Sequence, residues 1–334
     1  MSRYVVIGGG AVGGLFAAQL TLAGIPAILV ARGRHLEAIR ASGLRIRRPH
    51  GDDVVRLATA AGPAEVRLTP QDVLVLATKA QDAEAALTAW AWQPVHAEPG
   101  APTGLGADLP VLTVQNGLAT EDAALRRFAR VYGVTVAVAA SYLTPGEVVN
   151  PSYPVNGALW LGRYPDRADP AAAQFARDWT AAGFAVHSVP DITAWKARKL
   201  FVSVRNGLDL LDGNDEGKAR AGALLVAEAE AVLAAAGIVP APPEALRAGA
   251  TLTFEPVPGH VPGRLSTWQS FARGAGSEVD HLNGEIVRLG RRHGVATPVN
   301  ERLQRLLGAQ AAAGRPPGTH TVDELLAVLA DLRG

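Results

Sequence analysis

Three glycines near the start of the chain have the spacing of a phosphate-binding turn, G-x-G-x-x-G. The apolar run Tyr4–Ile7 before them predicts a buried strand, and the apolar spacing after them predicts a helix. In such a strand–turn–helix unit the backbone approaches a pyrophosphate at the glycines, and the helix N-terminus supplies N–H donors. The pattern favours a dinucleotide site over a turn that binds nothing. The residues predicted to contact the cofactor here are Gly8, Gly10, Ala11, Val12 and Gly13.

Basic residues after the second predicted strand indicate which dinucleotide is bound. In this kind of unit an acidic residue at the strand end binds the 2′-hydroxyl of NAD, whereas an arginine accommodates the 2′-phosphate of NADP. In "PAILVARGRH" Arg32 occupies that place and Arg34 follows, while no Asp or Glu lies between Ile28 and Leu36. The sequence therefore predicts NADPH/NADP+ as the cofactor. The alternative is that both arginines are solvated loop residues.

Polar side chains follow two further predicted strands. The strand Val73–Thr78 precedes Lys79, and the strand Val111–Val114 leads into "QNG", which contains Asn116. Ligands of open α/β sheets bind at the carboxyl ends of the strands. We therefore expect Lys79 and Asn116 at the rim of the sheet where ligands bind, although each alone could be a surface lysine or a turn residue.

A helix start near the C-terminal third places a carboxylate beside the positive end of a helix dipole. Ser277 can cap this helix, with Asp280 three residues later in the acidic variant of a capping box, and Gly294 ends it before Pro298. Glu278 then lies in the first turn. Acidic residues are common there for structural reasons, so the spacing alone does not make Glu278 catalytic.

The composition excludes several other kinds of chemistry. The chain has no cysteine, which removes disulfides, thiolate nucleophiles and cysteine-ligated metals, and we predict no metal site. The 32 Lys and Arg residues nearly balance the 31 Asp and Glu residues, so we expect neither a nucleic-acid partner nor a membrane partner. The first residues lack the pattern of a signal peptide, and no apolar run reaches about 18 residues. We therefore expect a cytoplasmic location.

The order of the predicted elements gives an α/β fold with two domains, as the length of 334 residues suggests. Strands alternate with helices in the first half, where "GLRIRRPHGDDVVRLAT" predicts a hairpin and residues 96–110 an exposed loop. From Ile192 onward the periodicity is helical. We predict an N-terminal Rossmann-type doubly wound sheet over residues 1–190, ending near Pro190, and an all-helical C-terminal domain over residues 191–334.

Taken together, these residues resemble the ketopantoate reductase family, the 2-dehydropantoate 2-reductases. The resemblance covers nearly the whole chain and implies a Rossmann domain, a helical domain, and a substrate cleft between them. It also implies that the glycines of the turn, Arg32, Lys79 and Asn116 bind NADPH. The motifs that carry it are "GGGAVGG", "TKAQD", "QNG", "VVNP", "GALWLG", "RKLF", "STWQSF", "GSEVDHLNG" and "HGVATPVNERLQRLL".

The resemblance also implies catalytic roles. Hydride delivered to a 2-oxo carbon leaves an alkoxide, so a protonated amine must stabilise that charge and donate its proton. The general acid of the family is a lysine that matches Lys199 in "RKLF", with Lys196, one turn earlier, as the alternative. Ser266 and Glu278 have the family's spacing of twelve residues. Glu278 would hold the ammonium, Ser266 would bind the substrate carboxylate, and Asn116 could orient the amine.

The chain departs from the family on the substrate side. Ser203 stands where an asparagine that contacts substrate is usual, and Arg205 brings an unexpected guanidinium nearby. Asn206 is displaced by one from the usual second asparagine, where Gly207 stands, and Ser270 replaces a frequent aspartate. Ser203 and Arg205 are therefore predicted substrate contacts.

These observations predict an NADPH-dependent oxidoreductase that reduces a 2-oxo acid to a 2-hydroxy acid, similar to 2-dehydropantoate 2-reductase of pantothenate biosynthesis. The first alternative is a relative that acts on a different carbonyl or an imine in secondary metabolism. The second is a regulator that binds NADPH without chemistry. A small-molecule substrate is the expected partner, and the chain is expected to be a monomer or a homodimer.

Overall fold

A computed structural model describes residues 2–97, 100–165, 168–243, 252–258, 267–268, 271 and 277–331. The chain divides into two compact units. The first unit comprises residues within 1–115, 120–193 and 243–260, and the second comprises residues within 116–119, 194–242 and 261–334. One crossing between the units runs from Thr193 to Ala194. The domain boundary near Pro190 stays a prediction.

An eight-stranded sheet forms the framework of the first unit. With strands numbered in chain order, the sheet has the order β14-β13-β10-β9-β6-β1-β2-β5. Its parallel pairs place β1 between β2 and β6, whereas β13 runs antiparallel to β10. The strands of this sheet are β1 Arg3–Ile7, β2 Ala27–Val30, β5 Ala58–Ala60, β6 Asp72–Leu76, β9 Pro110–Thr113, β10 Arg130–Ala137, β13 Ala158–Tyr164 and β14 Ala185–Ser188.

Both faces of this sheet are covered, as a doubly wound fold requires. Side chains alternate between faces along a strand. Tyr4 and Val6 of β1 belong to one hydrophobic core, whereas Val5 and Ile7 belong to another. This burial on both faces explains why β1 is a continuous apolar run. The helices of this unit are Ala11–Leu22, Gly33–Ser42, Ala80–Ala91, Ala119–Leu125 and Pro170–Ala181.

The predicted hairpin is confirmed, and the predicted exposed loop over residues 96–110 is wrong in part. The hairpin strands β3 and β4 are antiparallel. Within the loop, β8 pairs with β7, and a 3₁₀ turn follows at Gly106–Asp108. The first residue of this turn must be glycine, because a Cβ at Gly106 would lie 2.1 Å from the carbonyl oxygen of Trp90. The remaining strands of this unit are β3 Leu44–Arg47, β4 Asp53–Val55, β7 Pro94–Val95, β8 Gly104–Leu105, β11 Glu147–Val149, β12 Ser152–Tyr153 and β16 Thr253–Phe254.

The second unit is helical around one apolar core, as predicted, apart from the short parallel pair of β15 (Leu211–Asp212) and β17 (His320–Thr321). No helix within the described ranges is both long enough and apolar enough to cross a bilayer. The helices that contribute to this unit are Ile192–Ser203, Asp215–Ala235, Val279–His293, Pro298–Ala312, Val322–Leu326 and Val328–Asp331, with a 3₁₀ helix at Asn206–Leu210.

Candidate active site

Two positions in the turn after β1 require glycine because the protein's own backbone lies close to them. Gly8 has φ +117°, and a Cβ there would lie 2.8 Å from the carbonyl carbon of Ala77. A Cβ at Gly13 would lie 1.9 Å from the carbonyl oxygen of Gly8. Any side chain at either position would therefore collide with backbone. These contacts press the turn against the start of its helix and the residues after β6.

Gly10 is different because, among the described residues, no atom beyond its chain neighbours lies within 4 Å of the place where its Cβ would be. It is the N-cap residue of the helix Ala11–Leu22, and it has no side chain that could cap the helix. Ala11 and Val12 are the first helical residues, and the first turn contains no acidic residue. The free N–H groups, the positive helix end and the open space together fit the pyrophosphate of a dinucleotide.

The end of β2 lies against the same turn and carries the predicted arginines. The backbone N–H of Gly8 donates to the carbonyl of Val30 at 3.0 Å, and a Cβ at Gly9 would lie 2.6 Å from the Cβ of Ala31. Arg32 follows as the N-cap residue of the helix Gly33–Ser42, and both Arg32 and Arg34 are exposed. Two guanidinium groups at a helix N-terminus are suited to a phosphate.

The ends of β6 and β9 are joined by Gln115, which the sequence analysis did not single out. The two strands are parallel neighbours, and Gln115 Nε2 donates to the carbonyls of Leu76 at 2.7 Å and Thr78 at 2.9 Å. Lys79 follows as the N-cap residue of the helix Ala80–Ala91 and is partly buried. Gln115 therefore fixes the backbone from which Lys79 projects.

Asn116 and the glycine after it belong to the second unit. Gly117 has φ +92°, and a Cβ there would lie 2.6 Å from the carbonyl oxygen of His281. This close approach requires glycine and places the turn beside the helix that follows Glu278. Asn116 itself is partly buried.

His35 braces the glycine turn from the other side. This residue is 5% exposed, and its Nδ1 accepts a hydrogen bond from the backbone N–H of Gly146 at 2.9 Å. A Cβ at Gly9 would lie 3.4 Å from its ring. Burial lowers the pKa of His35, which favours the neutral ring. An isolated histidine in a helical pattern gives no sequence signal for such a contact.

Lys196 and Lys199 lie one turn apart on the helix Ile192–Ser203. Lys196 is 4% exposed. Lys199 is partly exposed as a residue, whereas the amine at the end of its side chain is buried. Burial and the charge of Lys196 lower the pKa of Lys199 to about 8, and the carboxylate of Glu278 opposes this shift. The structure therefore brings together Lys199, Lys196 and Glu278.

Glu278 is 4% exposed and is the N-cap residue of the helix Val279–His293, so the prediction that it lies in the first helical turn is wrong by one position. Ser277 Oγ accepts a hydrogen bond from the backbone N–H of Val279 at 3.1 Å. The predicted capping box does not form, because Asp280 instead accepts from Gln304 Nε2 at 2.7 Å. The left-handed Gly294 ends the helix as predicted.

The predicted substrate residues differ from one another in exposure. Ser203 ends the lysine-bearing helix and is 2% exposed. Arg205 is exposed, and its stem packs along the helix Asp215–Ala235, where a Cβ at Gly222 would lie 3.1 Å from Arg205 Cδ. Ser266 and Ser270 lie outside the described residues.

Comparison with known proteins gives the family. Residues 4–166 match the model of "Ketopantoate reductase PanE/ApbA", and residues 200–311 match that of its C-terminal domain. The chain belongs to the ketopantoate reductase family. It is thus an oxidoreductase with a Rossmann-like domain, as the sequence motifs predicted.

Relatives and solved structures of similar length support this membership. A 2-dehydropantoate 2-reductase from Pyrococcus horikoshii is 24% identical, covering 93% of this chain and 98% of its own. The crystal structure of a PanE/ApbA family ketopantoate reductase from Ralstonia eutropha JMP134 is 27% identical, with a TM-score of 0.73 and coverage of 94% and 99%. D-mandelate dehydrogenase with NADH and anilino(oxo)acetate is 25% identical, with a TM-score of 0.77 and the same coverage.

Proposed function

We propose that this ketopantoate reductase family member reduces a 2-oxo acid to a 2-hydroxy acid with NADPH, and that 2-dehydropantoate is its substrate. The observation that carries the proposal is the amine of Lys199, whose pKa of about 8 results from burial and Lys196 against the attraction of Glu278. A lysine whose pKa lies near neutral pH is suited to donate a proton and to be protonated again between turnovers. The names of the curated relatives support the choice of substrate.

Lys199 acts as the general acid in this reaction. NADPH, when bound, supplies a hydride to the 2-oxo carbon, and the carbonyl oxygen gains negative charge. The Lys199 ammonium stabilises this charge and transfers a proton from Nζ to the oxygen, which completes the hydroxyl group. Glu278 stabilises the ammonium electrostatically, and Lys196 lowers its pKa so that the proton is released more readily. Such an acid contributes a factor of about 10² to 10⁴ in rate.

The glycine turn and the arginines of the first unit hold the cofactor, and Asn116 stays a predicted cofactor contact. Gly10 and the N–H groups of Ala11 and Val12 bind the pyrophosphate, where the structure leaves open space. Arg32, with Arg34 as a second ligand, binds the 2′-phosphate and selects NADPH. The structure of the D-mandelate dehydrogenase neighbour contains NADH, so the fold alone does not select NADPH. The proposed preference for NADPH therefore depends on these arginines.

A different 2-oxo acid is the second candidate substrate. Ser203 is shorter than the asparagine usual in the family and is buried, so it leaves more room beside Lys199 than asparagine would. The D-mandelate dehydrogenase neighbour carries a bound 2-oxo acid derivative with an aryl group. Ser266 binds the substrate carboxylate in either case, and Arg205 is available as a second anion contact.

The test is steady-state oxidation of NADPH and NADH by purified protein with 2-dehydropantoate, phenylglyoxylate and an aliphatic 2-oxo acid. We expect the highest kcat/KM with 2-dehydropantoate and NADPH. Faster turnover of phenylglyoxylate would assign the second candidate. Absence of turnover with every 2-oxo acid would reject the proposal and favour a regulator that binds NADPH without chemistry. Multiple turnover with any substrate would exclude such a regulator. The protein is proposed to act in the cytoplasm as a monomer or homodimer, which light scattering distinguishes.

A further inference from the structure

A buried side-chain network in the second unit reaches the end of the helix that carries Lys199. Asn283 is 1% exposed and Asn300 is 0% exposed. Asn283 Nδ2 donates to the carbonyl of Val204 at 2.9 Å and to Asn300 Oδ1 at 2.9 Å, so both amide hydrogens are used. Asn283 thus donates to the carbonyl of the residue that follows the helix Ile192–Ser203, where carbonyls lack partners within the helix.

The network continues from Asn300 to a carboxylate. Asn300 Nδ2 donates to the carbonyl of Leu225 at 3.1 Å and to Glu228 Oε2 at 2.7 Å. Glu228 also accepts from the backbone N–H groups of Val299 at 2.8 Å and Asn300 at 2.9 Å. It thereby caps the helix Pro298–Ala312, whose N-cap residue forms no side-chain cap. A buried hydrogen-bonded network of this kind favours one arrangement, so it fixes the segments that it joins.

We propose that Asn283 is a positioning residue for the reaction: by anchoring the helix Val279–His293 to Val204, it holds Glu278 beside Lys199. This inference rests on the proposed function. Glu278 precedes Asn283 by five positions, and Lys199 precedes Val204 by five positions. At a rise of about 1.5 Å per residue, each charged side chain lies roughly 7.5 Å along its segment from the shared anchor. A helix is stiff over this distance and transmits a displacement of the anchor.

The two charges that act on Lys199 differ in how they depend on this anchor. Lys196 lies on the same helix, so its distance from Lys199 is set locally. Glu278 lies on another segment and depends on the network. Because the attraction between two charges falls with distance, displacement of Glu278 leaves the repulsion from Lys196 less opposed. Loss of the anchor should therefore lower the pKa of Lys199.

The test measures Lys199 directly, without turnover. In Asn283→Ala, the Val204 carbonyl and Asn300 Oδ1 lose their donor. The titration of Lys199 is followed by the pH dependence of its acetylation by acetic anhydride, read for its own peptide by mass spectrometry. We expect the titration to move to lower pH by about half a unit or more. The limb of the kcat profile that falls with rising pH should move in the same direction, while the Kd for NADPH stays unchanged.

The matched control is Gln304→Ala. Gln304 and Asp280 connect the same two helices, Val279–His293 and Pro298–Ala312, through an exposed hydrogen bond of 2.7 Å. Its loss removes one interhelical bond but leaves Asn283 in place, so we expect the Lys199 titration to stay as in the wild type. An equal shift in Gln304→Ala would overturn the inference, because any loosening of the helix pair would then have the same effect.

An unchanged Lys199 titration in folded Asn283→Ala overturns the inference, even when the wild type reduces a 2-oxo acid. A shifted titration in a protein that reduces no 2-oxo acid supports the placement of Glu278 and rejects only the proposed function. Should Asn283→Ala fail to fold, Glu228→Gln weakens the network from its far end. A smaller shift in the same direction then supports the inference, and an unchanged titration overturns it.

Discussion

At the scale of single residues, the glycines of the first turn serve different needs. Gly8 and Gly13 lack side chains because protein backbone occupies the space, whereas nothing in the described chain fills the space at Gly10. The motif therefore contains two positions that the fold requires and one position, Gly10, that is proposed to face the cofactor. Substitution at Gly8 or Gly13 should therefore mainly lower stability, whereas substitution at Gly10 should mainly weaken cofactor binding.

We expect Gly10→Ala to weaken NADPH binding by about tenfold or more, roughly 1.4 kcal/mol, with little loss of stability. Gly10 has φ −72°, which alanine adopts, so the cost of alanine at an N-cap is offset by its lower entropy when unfolded. Gly13→Ala is the comparison, and its clash should cost about 1–3 kcal/mol or more. Fluorescence titration and thermal unfolding measure the two quantities. Equal stability loss in both variants would contradict this distinction.

Arg32→Ala should reduce the preference for NADPH over NADH. A hydrogen bond to a charged group contributes about 1.5–3 kcal/mol, which predicts a loss of roughly ten- to a hundredfold in NADPH affinity. NADH, which lacks the 2′-phosphate, should bind about as before. Calorimetric titration of both cofactors measures the ratio, with Arg34→Ala expected to have a smaller effect. An unchanged ratio in Arg32→Ala would remove this residue from the 2′-phosphate site.

Lys196→Met should move the pH dependence of kcat to higher pH. The acid must be protonated, so the rate of the wild type should fall as the pH rises through about 8, the pKa of Lys199. Removal of the positive charge of Lys196 raises that pKa, and methionine keeps much of the buried volume. In Lys199→Ala, kcat should fall by about 10² to 10⁴. The reverse result, with activity lost in Lys196→Met and kept in Lys199→Ala, would identify Lys196 as the acid.

At the scale of secondary-structure elements, the contacts that hold the site are those that sequence patterns reveal least. The strand–turn–helix unit could be predicted because Gly8, Gly10 and Gly13 act within one short segment. Gln115 and Asn283 could not, because each bonds to backbone carbonyls far away in the sequence. Likewise, the strand Gly104–Leu105 within residues 96–110 and its partner Pro94–Val95 are too short to show periodicity.

The contact of His35 with the glycine turn is also one that sequence patterns do not reveal. His35 should make the free energy of unfolding depend on pH. Its pKa is lowered in the folded protein, so the unfolded chain binds the proton more readily. Its contribution is complete above the unfolded pKa of about 6.5 and is lost as the pH falls below that value. Chemical denaturation of wild type and His35→Gln at pH 7.5 and 5.5 measures the effect. We expect the wild type to lose more stability than the variant over this interval; equal losses would exclude His35 as the cause.

At the scale of the whole molecule, the change of periodicity near residue 190 predicts a sheet followed by helices, and the elements follow that order in the structure. The all-helical second domain and the doubly wound sheet were thus predictable from spacing alone. The acid could not be derived in this way, because Lys199 and Lys196 have the same spacing along their helix. Folding of distant segments brings the charge of Glu278 close enough to act on Lys199, and spacing along the chain does not reveal this.

Cofactor binding should stabilise the folded molecule. A ligand that binds only the folded state at a hundred times its Kd adds about 2.7 kcal/mol, which corresponds to several degrees in Tm. We expect NADPH to raise Tm more than NADH at equal concentration in the wild type, and equally in Arg32→Ala. Differential scanning fluorimetry measures these shifts. No shift with either cofactor would contradict a dinucleotide site.

The empty volume at Gly10 has a practical consequence for attempts to make this enzyme more robust. Screens that reward heat resistance alone would tolerate alanine there, since the folded chain loses no contact and the unfolded chain loses freedom. Survivors of such a screen would be well folded and yet deprived of their reductant. Directed evolution of this scaffold should therefore select for turnover in every round.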